Sequence, residues 1–179
     1  MLNNNHKQIL KDVAKRSLEM YIKNGDFLDF KTDDLVLVSK QGAFVTLKRD
    51  GELRGCIGLI ISDLPLWQTV RDMAIAAGTQ DNRFSPISEK ELDNLNYEIS
   101  VLTPFNKVNN WQDIEIGRQG VLVKKGQNSG LFLPQVATEN NWNLEEFLSN
   151  LCRFKAGLEA EAYKNDPEIE LYTFEAEVF

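Results

Sequence analysis

Ala43-Phe44-Val45-Thr46-Leu47-Lys48-Arg49-Asp50-Gly51-Glu52-Leu53-Arg54-Gly55-Cys56-Ile57-Gly58 reads as two strands joined by a tight turn. Asp50-Gly51 between strand-like runs is a strong hairpin signal, because a two-residue turn of the favoured hand needs positive φ. The spacing predicts a hairpin over 43–49 and 52–61. Its second strand carries two glycines, Gly55 and Gly58, around Cys56, with Arg54 two residues ahead of the thiol. Glycine inside a strand marks a bulge or a place where another backbone or a ligand comes close. A guanidinium and a thiol on such a bare ribbon mark a candidate site, with both side chains expected on one face.

On the N-terminal side of the hairpin, Ile9, Leu10, Val13, Ala14, Leu18, Tyr21 and Ile22 recur at helical spacing and predict a helix over 4–23, stopped at Gly25. Leu35-Val36-Leu37-Val38 fits a strand or part of a turn. On the other side, Ser62-Asp63-Leu64-Pro65 predicts the start of a helix that ends at Gly78. Ser88-Glu89-Lys90-Glu91 has capping-box spacing ahead of a short helix, and Asn143 with Glu146 heads another that runs to about Lys155. Tyr97–Leu102 alternates as a strand, and 120–124 with 130–133 forms a second hairpin across Gly126. A short helical segment after Pro134 extends to Glu139. In the tail, Tyr172, Phe174, Ala176 and Val178 alternate with polar residues, as one half-buried strand would. Strands in hairpins with helices between them predict an α+β fold whose sheet is largely antiparallel and flanked by helices.

The 179 residues suffice for one domain or for one with a small lobe, and 59–95 could form a helical sub-lobe. Acidic residues outnumber basic ones 27 to 20, a balance that repels phosphate backbones, so no nucleic-acid partner is expected. No apolar run approaches a bilayer span, so no membrane association is expected either. The first residues lack the apolar core of a secretory signal, and two cysteines without a spacing pattern suit a reducing compartment. These features predict a cytoplasmic protein. One histidine and two separated cysteines cannot form the usual zinc sets, and there is no phosphate-binding glycine loop or dinucleotide fingerprint. No cofactor or metal is expected.

Seven segments, in order, resemble the AMMECR domain proteins, one of three components of the AmmeMemoRadiSam set. They are Gly42–Leu47, Leu53–Gly58, Asp81–Phe84 with Pro86, Glu98–Leu102, Gly130–Ala137, Lys155–Leu158 and Leu171–Glu177. The resemblance implies a larger lobe (about 1–58 and 96–179) around an antiparallel sheet, a smaller inserted lobe (about 59–95) and a functional cleft between them. It also implies Memo-like and radical-SAM partners, but it supplies no reaction. Three features depart from the family pattern. Gln119 precedes Gly120 where His is frequent, no Arg stands near Asn128, and Cys152 and Lys155 are one residue further apart than usual.

Candidate site residues follow, each with two readings. Cys56 is either a ligand-contacting, reactive thiol or a small buried core residue. The only histidine, His6, falls in an N-terminal segment expected to fray, so a Cys–His pair is not expected. Arg54 and Arg83 either clamp an anion, assisted by glycine-flanked N–H groups at Gly55 and Gly58, or pair internally with Asp81 or Glu98. Those two carboxylates serve acid–base chemistry or structural pairing. Gln135 orients a polar ligand or stabilises a turn. Two functions follow from these readings. One is a component that binds a small anionic or polar ligand, with covalent chemistry available at Cys56. The other is a non-catalytic interaction module with a structural cysteine.

Overall fold

The computed structural model describes residues 2–179. It is an α+β protein with two four-stranded sheets, and the chain forms two compact units. One runs to Leu102 and regains residues 177–179; the other is Thr103–Ala176.

In the first unit, helix α1 (Asn4–Asn24) opens with a capping box. Asn3 accepts the His6 N–H, and His6 Nδ1 accepts the Asn3 N–H at 3.2 Å. With Nδ1 accepting, Nε2 carries the proton and faces Asp34 Oδ2 at 3.1 Å. His6 is buried rather than frayed, because both ring nitrogens have partners. Gly25 ends the helix at φ +76°, as its position implied.

Residues 35–38 form a turn and no strand. Asp34 Oδ1 accepts the Val36 and Leu37 N–H groups. The segment then supplies the carbonyls of Leu37 and Ser39 to the N–H groups of Trp67 and Leu66. Helix α2 (Leu66–Thr79) is therefore capped by backbone from another segment, and Ser62 instead bonds Leu64 N–H and the Thr69 hydroxyl. Gly78 lies inside the last turn of α2, where a Cβ would meet Leu18 of α1 at 2.5 Å. It permits close helix packing and does not terminate the helix.

The hairpin forms from β1 (Ala43–Arg49) and β2 (Glu52–Leu59), its second strand ending at Leu59 rather than at 61 because the chain bends there. Asp50 and Gly51 take φ of +53° and +86°. Strand β3 (Leu95–Leu102) pairs with β1, and β8 (Ala176–Val178) completes the order β2-β1-β3-β8. Ala43, Val45, Leu47, Ile99 and Val101 form the inward face and meet Leu10, Leu18, Val70 and Ala74 in one core. Ser88 and Glu91 make the expected capping box, heading a 3₁₀ turn, Glu89–Asn94.

Residues 59–95 belong to this same unit, so the chain divides elsewhere than at the expected lobe limits. The reason lies in packing: a Cβ on Gly55 would meet the Ala77 carbonyl oxygen at 2.1 Å. Helix α2 is laid directly on the bare backbone of β2.

The second unit holds β4 (Asn106–Val108), β5 (Gly120–Lys125), β6 (Asn128–Phe132) and β7 (Glu170–Phe174), in the order β4-β7-β5-β6. Between β6 and β7 run α3 (Gln135–Glu139), α4 (Leu144–Asn150) and α5 (Ala162–Asn165). Val121, Val123, Phe132, Phe147, Leu148, Leu151 and Cys152 form its separate core. Asn143 and Glu146 cap α4 reciprocally, as their spacing implied. Beyond Asn150 the helix continues as a π-helical turn, Leu151–Ala156, closed by Gly157 N–H donating to the Cys152 carbonyl. Such a turn accommodates one residue more than an α-helical turn would.

The tail is two strands in two sheets rather than one. β7 pairs with β5, while Phe179 and Ile99 exchange both backbone hydrogen bonds beside β8. Alternation consequently breaks between Thr173 and Phe174: Leu171, Thr173 and Phe174 are buried and Tyr172 is half-buried.

Candidate functional site

Cys56 lies on β2 opposite Thr46 of β1, which lies opposite Glu98 of β3. These three form one cross-strand row on the face turned away from α1 and α2. Thr46 Oγ1 donates to Cys56 Sγ at 3.2 Å, and the cysteine is half-buried. Glu98 Oε2 takes Lys48 Nζ at 2.8 Å, and both side chains are more than a third exposed. Glu98 is thus on the row of the thiol but paired along it.

The main chain of Cys56 is held from the sheet edge. Its N–H donates to Asp81 Oδ2 at 2.9 Å, and its carbonyl accepts from Arg83 Nη2 at 3.3 Å. Asp81 also accepts Arg83 Nε, Arg83 Nη2 and the Arg83 N–H. These bonds hold the Asp81 carboxyl well below the usual carboxylate range, Arg83 first among the causes. Asp81 is 4% exposed and Arg83 57% exposed, so the pair presents its cation outward. Nη1 of Arg83 has no hydrogen-bond partner among the described residues.

Arg54 does not face Cys56 as alternation suggested. Leu47 pairs with Gly55 and Lys48 with Leu53, so the register shift leaves Arg54 unpaired as a bulge residue. Its guanidinium donates to both Glu91 oxygens (2.9 and 3.4 Å) and to the Ser85 carbonyl. Glu91 is lowered to about 2 by Arg54 and by the Ser88 N–H. The internal pair of Arg54 is with Glu91, and neither Asp81 nor Glu98. The cation held on the main chain of Cys56 is Arg83, through its bond to the Cys56 carbonyl.

The two glycines are filled by the protein's own atoms. Gly55 receives the Ala77 carbonyl, and at Gly58 a Cβ would meet the Phe44 ring at 2.2 Å. Gln135 belongs to the second unit, where it begins α3 and its carbonyl accepts the Thr138 hydroxyl. A reading of the residues alone missed Thr46, Lys48 and Glu91. Thr46 had a signal, as the polar position alternating within an apolar strand. Glu91 had half of one, since its capping role was visible and its second partner was not. Among the described residues, no three His, Cys, Asp or Glu side chains gather as a metal cluster would.

The AMMECR1 family model matches residues 11–179. The chain belongs to the AMMECR1 family. AMMECR1 relatives include Protein NEQ441 of Nanoarchaeum equitans, 40% identical over 95% of this chain and 97% of that one. Protein MK0488 of Methanopyrus kandleri is 41% identical over 96% and 86%. The crystal structure of an uncharacterized protein, PH0010 from Pyrococcus horikoshii, is similar with a TM-score of 0.86. It has 37% identity and covers 99% of this chain and 92% of that one. The candidate site just described therefore lies within the AMMECR1 match, and the names of these relatives assign no chemistry to it.

Proposed function

We propose that this AMMECR1 protein is a binding component, and that a small anionic or polar ligand docks beside Cys56 against the Arg83 guanidinium. One observation carries the reading. Asp81 fixes the main chain of Cys56 and the head of Arg83 together, yet leaves a half-buried sulfur next to a cation that is more than half exposed. A guanidinium held this way loses little freedom on meeting a carboxylate or phosphate, and its free Nη1 edge is the place for one. Thr46 supplies a hydroxyl directed at the sulfur, which suits covalent chemistry there. Phe44, packed over Gly58, and Glu98 with Lys48 bound the corner along the same face, while Gly55 is filled by the Ala77 carbonyl and Arg54 is spent on Glu91. We further propose, on the family resemblance alone, that the protein works with Memo-like and radical-SAM proteins in the cytoplasm. Two unpaired cysteines suit that compartment.

A second reading has its own support. Leu59 at the end of β2 and Ile60 and Ile61 after it have exposures of 38%, 36% and 60%, a run of apolar surface that suits a protein partner. On that reading Cys56 is only structural.

Native mass spectrometry of the purified chain separates the two. The ligand-binding reading expects a retained small molecule or a Cys56 adduct, absent from Cys56→Ser and weakened in Arg83→Ala. If both folded variants match the wild type in bound mass and in pathway output, the ligand-binding reading fails.

A further inference from the structure

We propose that the ligand of this corner is the C-terminal carboxylate of an extended peptide, which adds an antiparallel strand to the edge of β2 at Gly58 and ends on Arg83. The proposal rests on the preceding reading of the corner as a ligand site and names its substrate class.

β2 is an edge strand, bonded only to β1. The N–H and carbonyl of Cys56 point outward, because Asp81 and Arg83 take both. Outward-pointing residues recur every second position, so the N–H and carbonyl of Gly58 point the same way. No hydrogen bond from elsewhere in the described chain reaches them. Asp81 and Arg83 thus supply the two bonds a neighbouring strand would make at Cys56, and the next such position is open.

The two halves of this edge differ. The half before Cys56 is protected by the bulge at Arg54 and by the Asp81–Arg83 pair. The half after it has no Lys, no Pro and no bulge, and leads into the exposed Leu59 and Ile61. An unprotected apolar edge is a template for another strand, which main-chain bonds hold and side-chain contacts select.

Direction follows from charge. An added antiparallel strand runs from the Leu59 end of β2 toward Cys56 and cannot pass the Asp81–Arg83 pair, so its last carboxylate arrives at the guanidinium. A parallel strand would bring its amino end to the same cation. The open Nη1 group is a donor, which a carboxylate satisfies and an ammonium cannot, and Asp81 already accepts four hydrogen bonds and has little left to offer an ammonium.

The test uses the full chain and the peptide acetyl-Ser-Val-Thr-Val as free acid, as C-terminal amide, and with its last two amide nitrogens methylated. Binding is read by calorimetry and by protection of Cys56 from iodoacetamide. The free acid should bind at least about tenfold more tightly than the amide, and the methylated peptide should lose binding. Arg83→Gln should bring the acid down to the level of the amide, and Arg83→Lys should recover part of the difference. The acid–amide comparison in the wild type decides the matter even where a variant folds poorly. Equal binding of acid and amide overturns the proposal, as does binding of neither. If succinate shields Cys56 and no peptide does, the small-ligand site stands and the strand proposal falls. If nothing shields Cys56, both fall.

Discussion

Asp81 and Glu91 each hold an arginine with a carboxylate, and at each the exposure of the arginine sets what it can still do. Arg54 is 15% exposed and spends its donors on Glu91 and Ser85, whereas Arg83 keeps an open edge. Removing the charge at Asp81 leaves the Cys56 N–H and Arg83 poorly matched, so Asp81→Asn should cost about 2–4 kcal/mol in urea unfolding. The folded Asp81 carboxyl titrates below its ordinary 3.8. Its contribution is therefore complete above about pH 4 and is lost as pH falls through the lower, folded value. Wild-type stability should drop in that acid window more than that of Asp81→Asn, which unfolding midpoints at pH 3 and pH 7 would compare. The two thiols should also separate. Cys152 is fully buried and burial pushes its thiol up, while Cys56 is half-buried beside a donor hydroxyl. Brief iodoacetamide treatment of native protein followed by peptide mapping should find the label on Cys56 and none on Cys152.

At the scale of elements, the glycines of the hairpin do different work. Gly51 needs its φ of +86° and has open space around it, so Gly51→Ala should cost about 1–2 kcal/mol from backbone conformation alone. Gly55 has an ordinary backbone, but a methyl there would collide with the carbonyl of Ala77, which cannot rotate away. Gly55→Ala should cost about 3 kcal/mol by forcing α2 off β2, and the urea midpoints of the two variants should rank accordingly. The π-helical turn follows the same logic of close approach. A Cβ on Gly130 of β6 would meet the backbone of Lys155 at 2.5 Å. That turn therefore lies directly against the sheet, with Phe154, 67% exposed, on its outer side.

For the molecule as a whole, the last three residues matter out of proportion to their number. Residues 177–179 belong to the first unit although the chain reaches them through the second. Phe179 exchanges two backbone hydrogen bonds with Ile99, and Glu177 takes Lys7 Nζ at 2.8 Å and the Leu2 N–H. Truncation after Ala176 should expose the edge of β3 and release the start of α1. The first unit should lose about 2–4 kcal/mol, seen as weakened amide-exchange protection in α1 and β3, while β5 and β6 keep theirs.

What the order of residues settled by itself is local. α1, the Asp50-Gly51 hairpin, and the capping boxes at Ser88 and Asn143 were all legible, because period, turn φ and cap geometry depend on residues a few positions apart. The strand that carries the candidate site stood out for an equally local reason, since it holds two glycines, an arginine and a cysteine. Tertiary structure decided the rest, where partners lie far along the chain. Glu91 reaches Arg54 across 37 positions, Asp81 reaches Cys56 across 25, and His6 meets Asp34 across 28. Nothing in local periodicity marks which carboxylate a given donor will meet. The split of the tail into β7 and β8 was hidden for the same reason: alternation describes a strand, and it does not say which sheet the strand joins.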